Sequence, residues 1–231
     1  MSRKPILVLK HGKIAAGHLL TAFENLNIPY QICNTANGDI PPEDMDAFSG
    51  VAVMGGMMGV YEHDKYTWLS REIDWVDRFI ETGKPVFGIC LGCQMLAHIF
   101  DGEVYSGEKG LNVGFKRIEL MDEDPTFGEE LADCHVPVFH GDTYTLPDRA
   151  ERMARGSYYY EQGARFAENV YGTQFHPEVT EDIIREWYEH ALKDKRFQET
   201  LTLEELLDQA EKYLPKTQDW LEKFLGRLFK A

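Results

Sequence analysis

Apolar residues along this chain fall into two patterns, short unbroken runs and stripes at helical spacing. Ile6 to Leu9 is a run of the first kind, ends at Lys10-His11-Gly12, and reads as a buried strand. Leu19, Leu20, Phe23 and Leu26 then recur at helical spacing, and Ile28 to Ile32 predicts a second strand. The stretch Asn37-Gly38-Asp39-Ile40-Pro41-Pro42 is a loop by composition. Val51 to Met54 is a third apolar run, halted by Gly55-Gly56, and Leu69, Ile73, Val76 and Ile80 form a second helical stripe. Gly83-Lys84-Pro85 ends that helix, and Val86-Phe87-Gly88-Ile89 reads as a fourth buried strand. From Cys90 to Phe100 the period is helical again, with Met95, Leu96 and Ile99 on one face. Buried strands alternating with helices predict an α/β fold, with βαβ units and a mostly parallel central sheet flanked by helices.

From Glu103 to Phe175 the pattern changes to short strands and turns, among them Val113 to Leu120, Val136 to Phe139 and Val170 to Phe175. Ile183, Ile184, Trp187 and Tyr188 mark another helix. Residues 193–231 are charged and helical in period throughout. Leu203, Leu206, Leu207 and Ala210 form one stripe, Trp220, Leu221, Phe224, Leu225 and Leu228 another, and Pro215 separates them. The expected organisation is an α/β domain over 1–192 and a helical C-terminal extension over 193–231. That extension is expected to pack on the core or to form an oligomer interface, so a homodimer stays open.

Composition narrows this picture only a little. The chain has 231 residues, enough to bury a full core without disulfide or metal staples. Its 24 Lys+Arg against 39 Asp+Glu give a net charge of -15, which repels phosphate backbones, and no local basic stripe offsets it. Nucleic-acid binding is therefore not expected. The apolar run behind Arg3-Lys4 is too short for a signal-peptide core and no later run could span a bilayer, so the expectation is a cytoplasmic protein without membrane contact.

The cysteines bring in chemistry. Cys33, Cys90, Cys93 and Cys134 are too few and too scattered for a secreted disulfide framework. Gly88-Ile89-Cys90-Leu91-Gly92, however, sets a cysteine between flanking glycines, with a buried strand before it and a helix after it. That is the context of a nucleophile elbow. A thiol at a helix N-terminus meets free N–H groups and the positive end of the dipole, which favour the thiolate. Three other readings compete: a small core residue, a redox pair Cys90-x-x-Cys93, and half of a zinc site.

A cysteine nucleophile needs a base oriented by a third group. Of the eight histidines, His176 stands out, because it follows the strand-like Val170 to Phe175 and precedes Pro177-Glu178. Pro177 biases it toward extended backbone, in which residues two apart point the same way, so Glu178 is placed to steady the imidazole. At the carboxyl ends of a parallel sheet His176 could meet Cys90.

Together, Gly88-Ile89-Cys90-Leu91-Gly92-Cys93-Gln94, His176-Pro177-Glu178 and the Gly55-Gly56 turn resemble the signature segments of class I glutamine amidotransferase domains. The likeness covers roughly residues 1–192. It is nearest to stand-alone, GMP-synthase-like members, through Gly55 to Tyr61, His140-Gly141-Asp142 and Gln174 to Thr180. The resemblance implies a flavodoxin-like sheet and a catalytic triad of Cys90, His176 and Glu178. It implies an oxyanion hole from the N–H groups of Gly56 and Leu91, and substrate contacts from Gly55, Gln94, Gly141 and Asp142. Cys90 would attack the side-chain amide of glutamine, forming a thioester and releasing ammonia, with no metal or organic cofactor. His140 is kept outside the triad as a structural turn residue, and Cys93 is expected to pack. Met57 departs from the proline usual in the family, and Asp64 to Tyr66 is expected near the distal part of the substrate.

Full amidotransferases pass ammonia to a synthetase. This chain carries no Walker-type phosphate loop and has no room for a second large domain after residue 192. The partners expected are therefore glutamine or another γ-glutamyl compound and, for an amidotransferase, a separate synthetase subunit. A γ-glutamyl peptide or amine hydrolase with the same triad is the alternative, and a non-catalytic regulatory protein of the same fold is a second.

Overall fold

Three strands that read as unbroken apolar runs sit side by side in one sheet. The computed structural model describes residues 3–121, 123–197 and 201–230. Met1-Ser2, the start of the basic N-terminal stretch, and residues 198–200 of the C-terminal extension lie outside them. In chain order the elements are β1 (Ile6–Lys10), α1 (His18–Asn25), β2 (Tyr30–Asn34), β3 (Gly50–Val53), α2 (Thr67–Ile80), β4 (Val86–Ile89) and α3 (Leu91–Ile99). There follow β5 (Val104–Ser106), β6 (Asn112–Leu120), β7 (His135–His140), β8 (Asp142–Tyr144), β9 (Glu151–Gly156), β10 (Glu161–Ala167), β11 (Val170–Thr173), α4 (Glu181–Ala191) and α5 (Leu203–Leu228).

The nine-stranded sheet runs β2-β1-β3-β4-β11-β10-β9-β6-β7. Pairing is parallel from β2 to β11 and antiparallel from β11 to β7, so the sheet is mixed, with the parallel half carrying the βαβ units. Every residue of β3, β4 and β11 is buried. Alternate side chains go to opposite faces. Ile6, Val8, Ala52, Phe87 and Ile89 enter a core shared with α1 and α5, while Leu7, Leu9, Val51, Val53 and Val86 enter one shared with α2 and α3.

The C-terminal stripes are one helix, not two. α5 runs unbroken over 26 residues through Pro215. A proline inside a helix removes one N–H bond and costs about 3 kcal/mol, but here each flanking stripe is locked into its own core. Leu206, Ala210 and Leu214 pack with Ile183, Ile184 and Phe115, whereas Trp220, Leu221, Phe224, Leu225 and Leu228 fill the α1 face of the sheet. The Trp220 indole N–H also donates to the Phe127 carbonyl at 2.7 Å. At its start α5 carries a capping box, in which Thr202 accepts from the Glu205 N–H and Glu205 accepts from that of Thr202. Among the described residues, no helix is long and apolar enough to cross a membrane.

Candidate active site

Cys90 joins β4 to α3 with φ 51° and ψ −102°, a left-handed conformation for a residue with a side chain. Such backbone costs about 1–3 kcal/mol and persists only where its surroundings enforce it. Two glycines do so. A Cβ on Gly88 would stand 2.5 Å from the Gly92 carbonyl, and one on Gly92 would stand 2.2 Å from the Val53 oxygen. β4, α3 and β3 therefore touch backbone to backbone, and the thiol is held at the first turn of α3, where the N–H groups lack helical partners.

His176 lies just past the end of β11, with its N–H donating to the Pro137 carbonyl at 2.8 Å. Its ring meets Trp187 of α4 edge-on at 4.5 Å. Nδ1 donates to Glu178 Oε1 at 2.8 Å, and both side chains are buried. Among the described residues, Nε2 has no hydrogen-bond partner. Burial opposes a charged imidazole, but the negative charge of Glu178 and the neighbouring Cys90 outweigh it, so the His176 pKa is raised. A Cβ on Gly55 would stand 3.1 Å from His176 Cε1 and 3.6 Å from Cys90 Cβ. Gly55 thus marks the point where thiol and imidazole converge.

The adjoining Gly56 is packed as tightly, since a Cβ there would stand 2.3 Å from Leu91 Cδ2. The peptide between Gly55 and Gly56 is held from behind. His11 Nδ1 donates to the Gly55 carbonyl at 2.8 Å, and His11 Nε2 donates to Glu72 Oε1 at 2.8 Å. The second Glu72 oxygen accepts from the Thr35 hydroxyl. Both ring nitrogens of His11 face acceptors, so both carry protons. Burial disfavours that charge most, yet the attraction and hydrogen bond of Glu72, with the bond to Gly55, raise the pKa. The His11 and Glu72 side chains are 0% exposed.

A pocket opens over Cys90, lined also by Gly56, Met57, Gln94, His140, Gly141, Asp142, Asp194 and Arg196. Gln94 Nε2 donates to Gln174 Oε1 at 3.1 Å and toward the Asp142 carbonyl at 3.3 Å, and Gln174 Nε2 approaches Cys90 Sγ at 3.5 Å. His140 Nδ1 donates to the Asp142 carbonyl at 2.9 Å, and burial lowers its pKa to about 4, so it is a neutral structural residue. The Asp142 carboxylate accepts from Tyr61 at 3.1 Å and faces Arg196 at 3.4 Å. Burial raises its pKa.

The Cys90-x-x-Cys93 pair is split by the helix. Cys93 is fully buried on the α2–α3 side of the sheet, 3.4 Å from the Tyr144 hydroxyl, and a Cβ on Gly172 would stand 2.6 Å from its sulfur. Burial pushes its thiol well above the usual range. All four cysteines are unpaired. Asp64 to Tyr66 does not line the pocket. Asp64 points to solvent beside His63, and Tyr66 packs against Trp68. Tyr61, one helical turn earlier, reaches the pocket wall instead.

The sequence signal for class I glutamine amidotransferases extends over most of the chain, matching residues 14–190. The chain belongs to that family. It is 28% identical over 186 residues to a glutamine amidotransferase-like protein of Acanthamoeba polyphaga mimivirus, covering 80% of this chain and 82% of that one. It is 35% identical over 162 residues to the GMP synthase (glutamine-hydrolyzing) of Chromobacterium violaceum, covering 64% of this chain but 29% of that enzyme. Gamma-glutamyl peptidase 4 of Arabidopsis thaliana is 27% identical over 155 residues, with 64% of this chain and 61% of that one covered. Among solved structures, a glutamine amidotransferase from Thermotoga maritima superposes with TM-score 0.90 at 30% identity, over 100% of both chains.

Within this class I amidotransferase fold, the nine residues expected in the triad, the oxyanion hole and the substrate contacts lie around one point. Cys90, Gly56, Gln94, Gly141 and Asp142 line the pocket. Gly55, His176 and Glu178 stand behind the thiol, and Leu91 opens α3. Gln174, the His11–Glu72 pair and Arg196 were not singled out. Gln174 lies inside a quoted motif, and its position two residues before His176 was the available signal. Glu72 sits among the apolar positions of α2, where a buried acid is a signal in itself. Arg196 lies beyond the matched segment, in a charged stretch that offered no local signal.

Proposed function

We propose that this chain hydrolyses γ-glutamyl amides through a cysteine thioester, with glutamine as the substrate and glutamate and ammonia as products. The observation that carries this reading is the buried His176–Glu178 pair whose second ring nitrogen is left open behind Cys90. In the first step Cys90 gives its thiol proton to His176 Nε2 as Sγ bonds to the amide carbon, and the carbonyl oxygen becomes an oxyanion. The N–H groups of Gly56 and Leu91 are the donors for that charge, fixed before reaction by Gly88, Gly92 and the His11 bond to Gly55. His176 delivers its Nε2 proton to the amide nitrogen, the C–N bond breaks, and ammonia leaves. Water then attacks the thioester carbon and gives its proton to His176, and collapse returns glutamate and the thiol. Glu178 keeps the Nδ1–H tautomer in place throughout. Gly55, Gln94, Gly141 and Asp142 hold the substrate around this centre.

Relatives named GMP synthase support a role as the glutaminase half of a two-part enzyme with a synthetase partner. Relatives named gamma-glutamyl peptidase support a second reading, cleavage of γ-glutamyl peptides by the same triad. Exposed Met57 and Tyr61 at the pocket rim suit a larger leaving group. The test is a panel of glutamine and γ-glutamyl peptides with the wild type and Cys90→Ala, together with mass spectrometry of the trapped acyl-enzyme. Ammonia release and an acyl adduct on Cys90 are expected. Undiminished turnover by Cys90→Ala would reject the mechanism.

A further inference from the structure

Among the described residues, the pocket wall carries one permanent cation, and part of its guanidinium meets no acceptor. Arg196 lies on the connection between α4 and α5, outside the segment that matches the family. Its backbone is pinned on both sides, because its N–H donates to Asp194 Oδ1 at 2.8 Å and its carbonyl accepts from Leu111 at 3.2 Å. Two glycines make room for it. A Cβ on Gly110 would stand 2.8 Å from the Arg196 oxygen, and one on Gly141 would stand 2.8 Å from Nη1. The guanidinium therefore rests against Gly141 at the pocket wall, with the side chain 46% exposed.

Its hydrogen bonds to the described residues leave two donors open. Asp194 grips the side edge, with Nε at 3.2 Å from both carboxylate oxygens and Nη2 at 2.9 Å from Oδ2. Nη1 reaches Asp142 Oδ1 at 3.4 Å. A guanidinium has five N–H donors, and these contacts use three. The remaining two are one on Nη1 and one on Nη2, the nitrogens that bound the end edge. That is the fork that takes a carboxylate bidentately. Of the described residues lining the pocket, the other basic group is His140, which is held neutral. A γ-glutamyl compound carries an α-carboxylate that needs such a partner.

We infer that Arg196 is the carboxylate anchor of the substrate, taking the α-carboxylate of the γ-glutamyl group on its Nη1/Nη2 edge, with Asp194 as the residue that orients the fork. This inference rests on the γ-glutamyl amide reading above and adds a requirement to it. The substrate must present a free α-carboxylate, and the α4–α5 connection is part of the site.

The test compares glutamine with its α-carboxamide, glutaminamide, in wild type, Arg196→Gln, Arg196→Lys and Asp194→Asn. Wild type is expected to prefer glutamine in kcat/KM. Arg196→Gln should raise KM for glutamine by about 10- to 100-fold with kcat largely kept, as for loss of charge-assisted hydrogen bonds, and should leave glutaminamide nearly unchanged. Arg196→Lys keeps the charge without the fork and should fall between, as should Asp194→Asn, so the prediction survives if Arg196→Gln does not fold. Retained discrimination in Arg196→Gln, or an equal KM increase for both substrates in the Arg196 variants, would overturn this inference alone. Absence of turnover of any γ-glutamyl amide by wild type would overturn the underlying reading and this inference with it.

Discussion

Two buried histidine–glutamate pairs face the same loop from opposite sides, and they are built for different ends. In each, an imidazole nitrogen lies 2.8 Å from a carboxylate oxygen, and in each the pKa is raised against the cost of burial. The difference is the other nitrogen. On His11 it donates to the Gly55 carbonyl, so the ring is saturated and can neither take nor give a proton without losing a bond. On His176 it is left without a partner among the described residues, beside Cys90. An enclosed ion pair by itself therefore says little about chemistry. A nitrogen that is buried, unsatisfied and next to a nucleophile says a good deal, because leaving it so has a cost that folding alone would not retain.

Exchanging the two histidines' properties by mutation separates these ends. His176→Asn is expected to lower turnover by about 10³-fold or more, as for loss of a base in a triad, and to lower the melting temperature as well, because Glu178 loses its buried partner. His11→Gln should lower stability with a much smaller loss of turnover. Removing one partner of a buried ion pair costs about 3–5 kcal/mol, so unfolding by denaturant should shift to a lower midpoint, with a smaller loss of turnover in the protein that remains folded. If His11→Gln matched His176→Asn in activity loss at unchanged stability, the distinction drawn between the pairs would fail.

The pH dependence of stability follows from the same pairs. A histidine whose folded pKa lies above its unfolded value near 6.5 contributes stability that is complete below that value. The contribution is lost as pH rises through the folded pKa. Melting temperature should therefore decline on the alkaline side of 6.5, and His11→Gln should flatten part of that decline. An identical slope in both proteins would show that His11 is not charged in the fold. The smallest effect expected is that of Cys93→Ala. Its sulfur packs against Tyr144 and Gly172, away from the pocket, so turnover should stay within about twofold and stability should fall by about 1 kcal/mol.

Much of this could be seen in the residues before any coordinates. β1, β3 and β4 are buried on both faces, and such strands announce themselves as unbroken apolar runs. Cys90 was legible because the backbone contacts at Gly88 and Gly92 admit no side chain, which writes the elbow into the sequence as glycine. The antiparallel half was harder. β9 and β10 carry Arg152 and Glu161, paired to each other at 2.7 Å, and strands that hold salt bridges across a partly exposed face lack a clean alternation. Pro215 misled because a proline stops a helix only when nothing else holds it. Arg196 was silent, and Glu72 showed only its place among apolar positions, for one shared reason. What they do depends on partners 61 residues away for Glu72, which meets His11, and 54 residues away for Arg196, which meets Asp142.

The placement of α5 has a consequence for how the chain is made. Trp220, Phe224 and Leu228 cover the face of the sheet that begins with Ile6 and Val8, and Arg3 donates to the Phe229 carbonyl. A ribosome delivers β1 long before α5, at roughly 5–20 residues per second. Until Trp220 and its neighbours emerge, an apolar sheet surface stands bare on the nascent chain, and the α4–α5 connection that carries Arg196 is anchored at one end only. Core closure and completion of the pocket wall thus fall to the same late event, so a chain stalled before α5 would be sticky and would lack a firm pocket wall.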